Sequence, residues 1–85
     1  MCSYVTVKTE VEGGGKGAEG WFRLSHANVY LDHPYFTQLE HTLNIDFVDE
    51  KAGSRVAVEL SPESAQALIR SIESALASAG DLVKP

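Results

Sequence analysis

Two neighbouring segments constrain the fold most, because their side chains alternate between apolar and polar with a period of two. Residues 27–33 and 41–47 each place apolar side chains on one face, which is typical of half-buried β-strands. If residues 34–40 connect them as an antiparallel hairpin, one register pairs every apolar residue with another apolar residue, and a one-residue slip would break that agreement. The pairs it predicts are Leu31 with Leu43, Val29 with Ile45, and Ala27 with Phe47.

Other segments complete an α+β fold. We predict a four-stranded, mainly antiparallel meander sheet with one C-terminal helix packed on its apolar face, forming a single domain over residues 1–85. Alternation, turn residues and helical periodicity set the approximate bounds. The strands are predicted at about residues 3–11, 21–33, 41–48 and 55–60, the helix at about 62–79, and a tail at 80–85.

The helix has a recognisable beginning and end. Ser61 is a preferred N-cap residue, Pro62 suits the first helical position, and Glu63 complements the positive end of the helix dipole. Apolar residues then recur with a 3.6-residue period, so one stripe of the helix is expected to face the sheet. Gly80 is expected to end the helix.

The glycine-rich residues 13–17 are predicted to form a flexible hairpin loop. An alternative is anion binding by the backbone amides of this loop and by Lys16, although the spacing departs from that of a phosphate-binding loop. Farther along, the apolar phase changes near Ser25 and His26, which predicts a bulge or bend in the second strand.

Charge and composition exclude several classes of function. The 85 residues include 12 acidic and 7 basic side chains, giving a net charge of −5 without a basic cluster, which argues against nucleic-acid binding. No apolar run approaches the roughly 20 residues of a membrane span, and no signal segment opens the sequence. We therefore expect a cytoplasmic protein that binds neither nucleic acid nor membrane. A small sheet with two open edges also predicts a homodimer.

The hairpin register places His33 opposite His41 at one end of the sheet. Directly opposed side chains are separated by about 4.5–5.5 Å between Cβ atoms, so two imidazoles there could share one metal ion. The alternative is an ordinary polar pair that hydrogen-bonds to the loop backbone. By parity Asp32 and Asp46 point to the other face, whereas Glu40 could bend in from the loop.

The single cysteine, Cys2, is the most interesting third ligand. Removal of Met1 would leave Cys2 with both a free amine and a thiol, which together chelate a metal. Strand parity argues against this position, since Cys2 is in phase with residues that face away from His33 and His41. A buried, inert thiol and a nucleophile with one of the two histidines as its base remain open as alternatives.

Several motifs together resemble a known family, and they are spread over most of the chain. They are Met1–Val5, Lys8–Val11, Gly15–Gly17 before Gly20–Phe22, Asp32–Pro34, Glu40–Phe47 and Arg55–Leu60. Over about residues 1–79 the chain resembles a family of small uncharacterised bacterial proteins, a domain of unknown function. The resemblance implies no activity, but it does imply that Cys2, His33 and His41 belong to one recurring pattern.

Two functions from different classes follow from these patterns. The first is a small metal-binding protein whose His33, His41 and Cys2 hold zinc, copper or iron, with a vacant coordination position for a metal-dependent reaction on a small molecule. The second is a non-catalytic interaction or dimerisation module without a metal. In that case the outer sheet face, or Trp21 and Phe22, would dock onto another protein or a second copy.

Overall fold

The computed structural model describes residues 5–80, and they form an α+β fold with four strands and one helix. The strands are β1 (Val7–Gly17), β2 (Gly20–Asp32), β3 (Thr42–Val48) and β4 (Arg55–Leu60), and the helix is α1 (Pro62–Ala79). The sheet is an antiparallel meander in the order β1-β2-β3-β4. The predicted fold class is confirmed.

The predicted register of the central hairpin is confirmed in every apolar pair. In β2 and β3, Leu31 pairs with Leu43, Val29 with Ile45 and Ala27 with Phe47. Strand β4 continues the same face, where Leu60, Val58 and Val56 pair with Leu43, Ile45 and Phe47. Apolar matching across neighbouring strands therefore determines the register, as the alternation indicated.

The glycine-rich segment was wrongly predicted as a loop, because β1 continues through it to Gly17 and pairs with the first half of β2. A Cβ at Gly15 would lie 3.1 Å from Leu24 Cδ2 and 3.3 Å from Phe22 Cζ. A side chain at this position would press against the two apolar side chains of β2, which would have to shift by a few tenths of an ångström. The register shifts opposite Ser25, as expected, but the extra residue lies between Glu10 and Gly13 of β1 and not in β2, where the bulge was predicted.

The outer half of the β1–β2 hairpin approaches the beginning of β4, although these strands are not neighbours in the sheet. A Cβ placed on Gly17 would lie 3.8 Å from the Arg55 carbonyl oxygen and 3.9 Å from Val56 Cγ2. The register shift in β1 allows such a bend, since a bulge increases the local twist of a strand. The hairpin thus contacts the sheet beside Val56, while α1 faces its other end.

Helix α1 begins and ends where the sequence indicated. The Ser61 hydroxyl accepts a hydrogen bond from the Ser64 amide at 3.0 Å, and Gly80 ends the helix with a positive φ of 58°. A non-glycine residue is disfavoured at such a φ. No helix within residues 5–80 is long and apolar enough to cross a membrane.

The helix faces the apolar side of the sheet but does not close over it. We call the space between them the apolar groove, which measures about 430 Å³. Its sheet side is lined by Val29, Leu31, Leu43, Ile45 and Leu60, and its helix side includes Ala65, Leu68, Ile69 and Ile72. No residue of α1 is buried. Among the described apolar residues only Ala27 is buried, so the interior of the chain is unusually small.

Candidate functional site

The structure brings His33 and His41 together at the end of the β2–β3 hairpin. Asp32 and Thr42 form the last pair of the ladder, and the two histidines follow directly outside it. Their ring centroids lie 4.9 Å apart and the ring planes are inclined by 28°, so the imidazoles are stacked. The sequence therefore predicted correctly which two side chains meet at this position.

Stacked rings do not yet form a metal site. The nitrogen lone pairs lie in the ring planes, and planes inclined by 28° at this separation do not converge within the roughly 2.0–2.1 Å of a metal–nitrogen bond. His33 Nδ1 lies 3.3 Å from the carbonyl oxygen of Glu40. Binding a metal would require at least one imidazole to rotate out of the stack.

A third ligand is the second requirement of the predicted site. Within residues 5–80 no group of three or more His, Cys, Asp or Glu side chains is arranged to hold a metal ion. Cys2 lies outside the described residues. Asp46 lies on the opposite face of the sheet, as its parity indicated, where it accepts a hydrogen bond from Tyr30. The metal site stays a prediction.

The loop of residues 33–41 is held by a side chain from a different part of the chain. The Glu59 carboxylate on β4 accepts hydrogen bonds from the amides of Tyr35, Phe36 (3.1 Å) and Thr37 (3.1 Å), and from the Thr37 hydroxyl at 2.9 Å. The Tyr35 amide, with the other three donors, lowers the pKa of Glu59 to about 2. The carboxylate is thus the anchor of the 33–41 loop.

The face of the sheet opposite the apolar groove is polar, and part of it is buried. We call it the polar face. Thr42 is fully buried and Asn44 is 9% exposed, and the Thr42 hydroxyl donates to Asn44 Oδ1 at 2.7 Å. Tyr30 donates to Asp46 Oδ2 at 3.1 Å. Burial, together with the Asp46 carboxylate, raises the pKa of the Tyr30 hydroxyl. The polar face is therefore not simply a solvent-exposed face of the sheet, because Thr42 and Asn44 are buried in it.

His26 is a third histidine that the sequence associated with no partner. It is 8% exposed, and its Nδ1 is buried without a hydrogen bond. The nearest charge is the Glu50 carboxylate, whose Oε1 lies 3.7 Å from Nδ1, and Asn28 Nδ2 lies 3.5 Å from Nε2. His26 thus makes polar contacts at the edge of the β3–β4 turn without a short hydrogen bond to Glu50.

The alternative of anion binding by residues 13–17 assumed a flexible loop, but these residues are part of β1. Lys16 and the preceding glycines pair with Trp21, Phe22 and Arg23 of β2, so they form a ladder rather than a free turn. Trp21 is 74% exposed and lines a shallow depression beside the 52–55 turn. Phe22 packs against the glycine-rich part of β1 and is less exposed than Trp21, so it is a weaker candidate for docking.

Comparison with known proteins places this arrangement in a family. Residues 1–84 match DUF6295, described as a family of unknown function. The chain belongs to this family. No curated protein and no solved structure matches it. The match confirms the resemblance drawn from the sequence motifs, and it assigns no activity to His33 or His41.

Glu59 is the residue that the sequence reading missed. Its parity in the β4 segment places it on the polar face, which was available from the alternation of Val56, Val58 and Leu60. Nothing in the sequence indicated that residues 35–37 would present three amides to it across more than 20 intervening residues. Its role therefore depends on tertiary structure.

Proposed function

We propose that the protein acts as a self-associating interaction module, in which a second copy of the chain covers the apolar groove and the exposed stripe of α1. The stripe consists of Leu68, Ile69, Ile72 and Leu76, which are 43–53% exposed. Exposed apolar patches of this kind mark interaction surfaces in soluble proteins. The non-catalytic alternative drawn from the sequence is therefore the better supported function.

The single observation that carries the proposal is the surface area of the chain. It exposes 6751 Å², whereas a compact monomer of 9.2 kDa exposes about 4,900 Å². The exposed apolar groove and the α1 stripe contribute to this excess, and they are the surface that a partner would cover. The radius of gyration is 14.4 Å, compared with about 12 Å for a compact domain of this length.

A second copy is the occupant that fits this surface without any further assumption. Each chain carries both an apolar groove and an apolar helical stripe, so two chains related by a twofold axis can cover both surfaces at once. The stripe repeats at intervals of three and four residues, which is the spacing of helix–helix packing. A partner would also complete a core in which Ala27 is the single buried apolar residue described.

The wild-type chain tests this proposal directly. Light scattering coupled to gel filtration is expected to give twice the chain mass of 9.2 kDa at micromolar concentration. The melting temperature is expected to rise with protein concentration, because association stabilises only the folded state. A monomer with a concentration-independent melting temperature would contradict the proposal.

A metal site at His33 and His41 is the second candidate function, and the observation behind it is the proximity of the two rings, whose centroids lie 4.9 Å apart. We propose that rotation of one imidazole would let both histidines bind a transition metal such as zinc, copper or iron, with Cys2 as the third ligand. A vacant coordination position could then activate water or a small substrate. Thiolate and imidazole ligands together suit all three ions.

Metal content is the measurement that decides this candidate. Tag-free protein is expected to bind one equivalent of zinc in calorimetry, and elemental analysis should find metal in native preparations. His33→Gln and His41→Gln are each expected to weaken zinc binding at least about tenfold, and Cys2→Ser should do the same if the thiolate binds. His26→Gln is the matched control and should leave affinity unchanged. If His33→Gln and His41→Gln bound zinc as tightly as wild type and the His26→Gln control, the result would contradict the site.

A further inference from the structure

The polar face contains a groove on the side of the sheet opposite the proposed self-association surface, and His33 of the proposed metal site lies among its lining residues. This polar groove measures about 630 Å³ and lies beside the anchored 33–41 loop. Its floor and walls include Tyr30, Asn44, Asp46, Arg55, Ala57 and Glu59. Ala57 pairs with Asp46 and shares the polar face with Arg55 and Glu59, so the small side chain leaves the space above Asp46 open. The groove is on the opposite side of the sheet from the apolar groove.

Most polar groups in the floor are already paired with one another. Thr42 donates to Asn44, and Tyr30 donates to Asp46 Oδ2. These contacts, one within β3 and one between β2 and β3, restrict the rotation of the side chains that make them. A ligand would therefore meet a preorganised surface.

Two groups at the groove retain unused hydrogen-bonding capacity. Arg55 Nη1 lies 3.7 Å from Asp46 Oδ2, which is too long for a hydrogen bond, and the Arg55 guanidinium makes no hydrogen bond with the described residues. Asp46 Oδ1 likewise accepts none from them, although the Asp46 side chain is only 13% exposed. The groove thus offers an acceptor beside a set of cationic donors.

The rim of the groove is aromatic. Tyr35 and Phe36 are 99% and 89% exposed, which is unusual for large apolar side chains. Their backbone is not free, because both amides are held by Glu59. The anchored backbone keeps both aromatic side chains beside the groove, and an apolar ligand group could pack against them.

We propose that the polar groove binds a small carboxylic acid that carries a hydrogen-bond donor on the adjacent carbon and an apolar side group. The ligand carboxylate pairs with Arg55 in a charge-assisted, two-point contact. The ammonium of an amino acid or the hydroxyl of a hydroxy acid donates to Asp46 Oδ1. The apolar group lies against Tyr35 and Phe36.

Nuclear magnetic resonance titration of the full chain tests the inference with three probes. L-phenylalanine, L-phenyllactate and hydrocinnamate share the carboxylate and the ring, but hydrocinnamate lacks the donor. Saturable shifts are expected at Asn44, Asp46 and Arg55 with a dissociation constant of about 1 mM or tighter. Hydrocinnamate is expected to bind at least about tenfold more weakly. Tighter binding of L-phenylalanine would identify the ammonium as the preferred donor, and tighter binding of L-phenyllactate would identify the hydroxyl.

Two variants with matched controls localise the binding. Arg55→Gln is expected to weaken binding at least about tenfold, whereas Arg70→Gln on α1 should not. Ala57→Leu fills the space above Asp46 and should abolish the shifts, whereas Ala67→Leu on α1 should not. The absence of saturable shifts with all three probes, or shifts that survive Ala57→Leu, would overturn the proposal. Because the groove lies away from the α1 stripe, its failure leaves the self-association proposal intact.

Discussion

Ile72→Glu is expected to convert the proposed dimer into monomers. Ile72 is 52% exposed in the chain and lines the apolar groove, so in the proposed dimer it lies in the part that excludes water. An unpaired carboxylate there loses its hydration without gaining a partner. We expect the dimer dissociation constant to rise about 100-fold or more, because central apolar positions dominate the energetics of interfaces. Sedimentation velocity over a concentration series measures the change.

Ser74→Glu is the matched control for this experiment. Ser74 is an exposed residue on the polar side of α1, and the variant adds the same charge to the same helix. It is expected to leave the dissociation constant within about threefold of wild type. Far-ultraviolet circular dichroism separates dissociation from unfolding, since a dissociated but folded Ile72→Glu chain keeps its sheet signal. If Ile72→Glu and Ser74→Glu associated equally well, the result would show that the interface does not include the α1 stripe.

Glu59→Gln is expected to release the 33–41 loop. The carboxylate accepts four hydrogen bonds from residues 35–37, and an amide side chain offers one neutral oxygen in place of two charged ones. The amides of Tyr35, Phe36 and Thr37 should lose their downfield shifts and exchange with solvent at least about tenfold faster. Glu63→Gln on α1 is the control for loss of one carboxylate and should leave these three amides unchanged.

The same anchor gives the loop a defined acid sensitivity. The folded-state pKa of Glu59 is about 2, below its ordinary value of 4.5, because the loop donors favour the charged form. The anchoring stability is therefore fully present above pH 4.5 and is lost as the pH falls toward 2. In wild type, exchange of the three amides should accelerate across this interval after correction for intrinsic rates. The Glu59→Gln variant should lack this pH-dependent acceleration. If the variant retained it, the titration of a group other than Glu59 would be responsible.

Predictions from the sequence succeeded where neighbouring residues carry the signal. Alternation identified the strands, and apolar matching predicted each pair between β2 and β3, including the approach of His33 and His41. Ser61 and Gly80 bound the helix because capping depends on a few adjacent residues. The prediction for the glycine-rich segment was wrong because its conformation depends on residues of another strand. Its glycines accommodate Phe22 and Leu24 from the partner strand, and this requirement is invisible in the segment itself.

The candidate sites divide in the same way. The alternation by itself indicated the sheet, the register and which histidines meet, because a one-residue slip would move the apolar side chains to the other face. Only the tertiary structure decided that Glu59 anchors residues 35–37, that Asp46 and Arg55 stand beside an open groove, and that α1 leaves its apolar stripe exposed. These features depend on contacts between residues far apart in the chain, and on how far a helix lies from a sheet. No local pattern of side chains encodes either quantity.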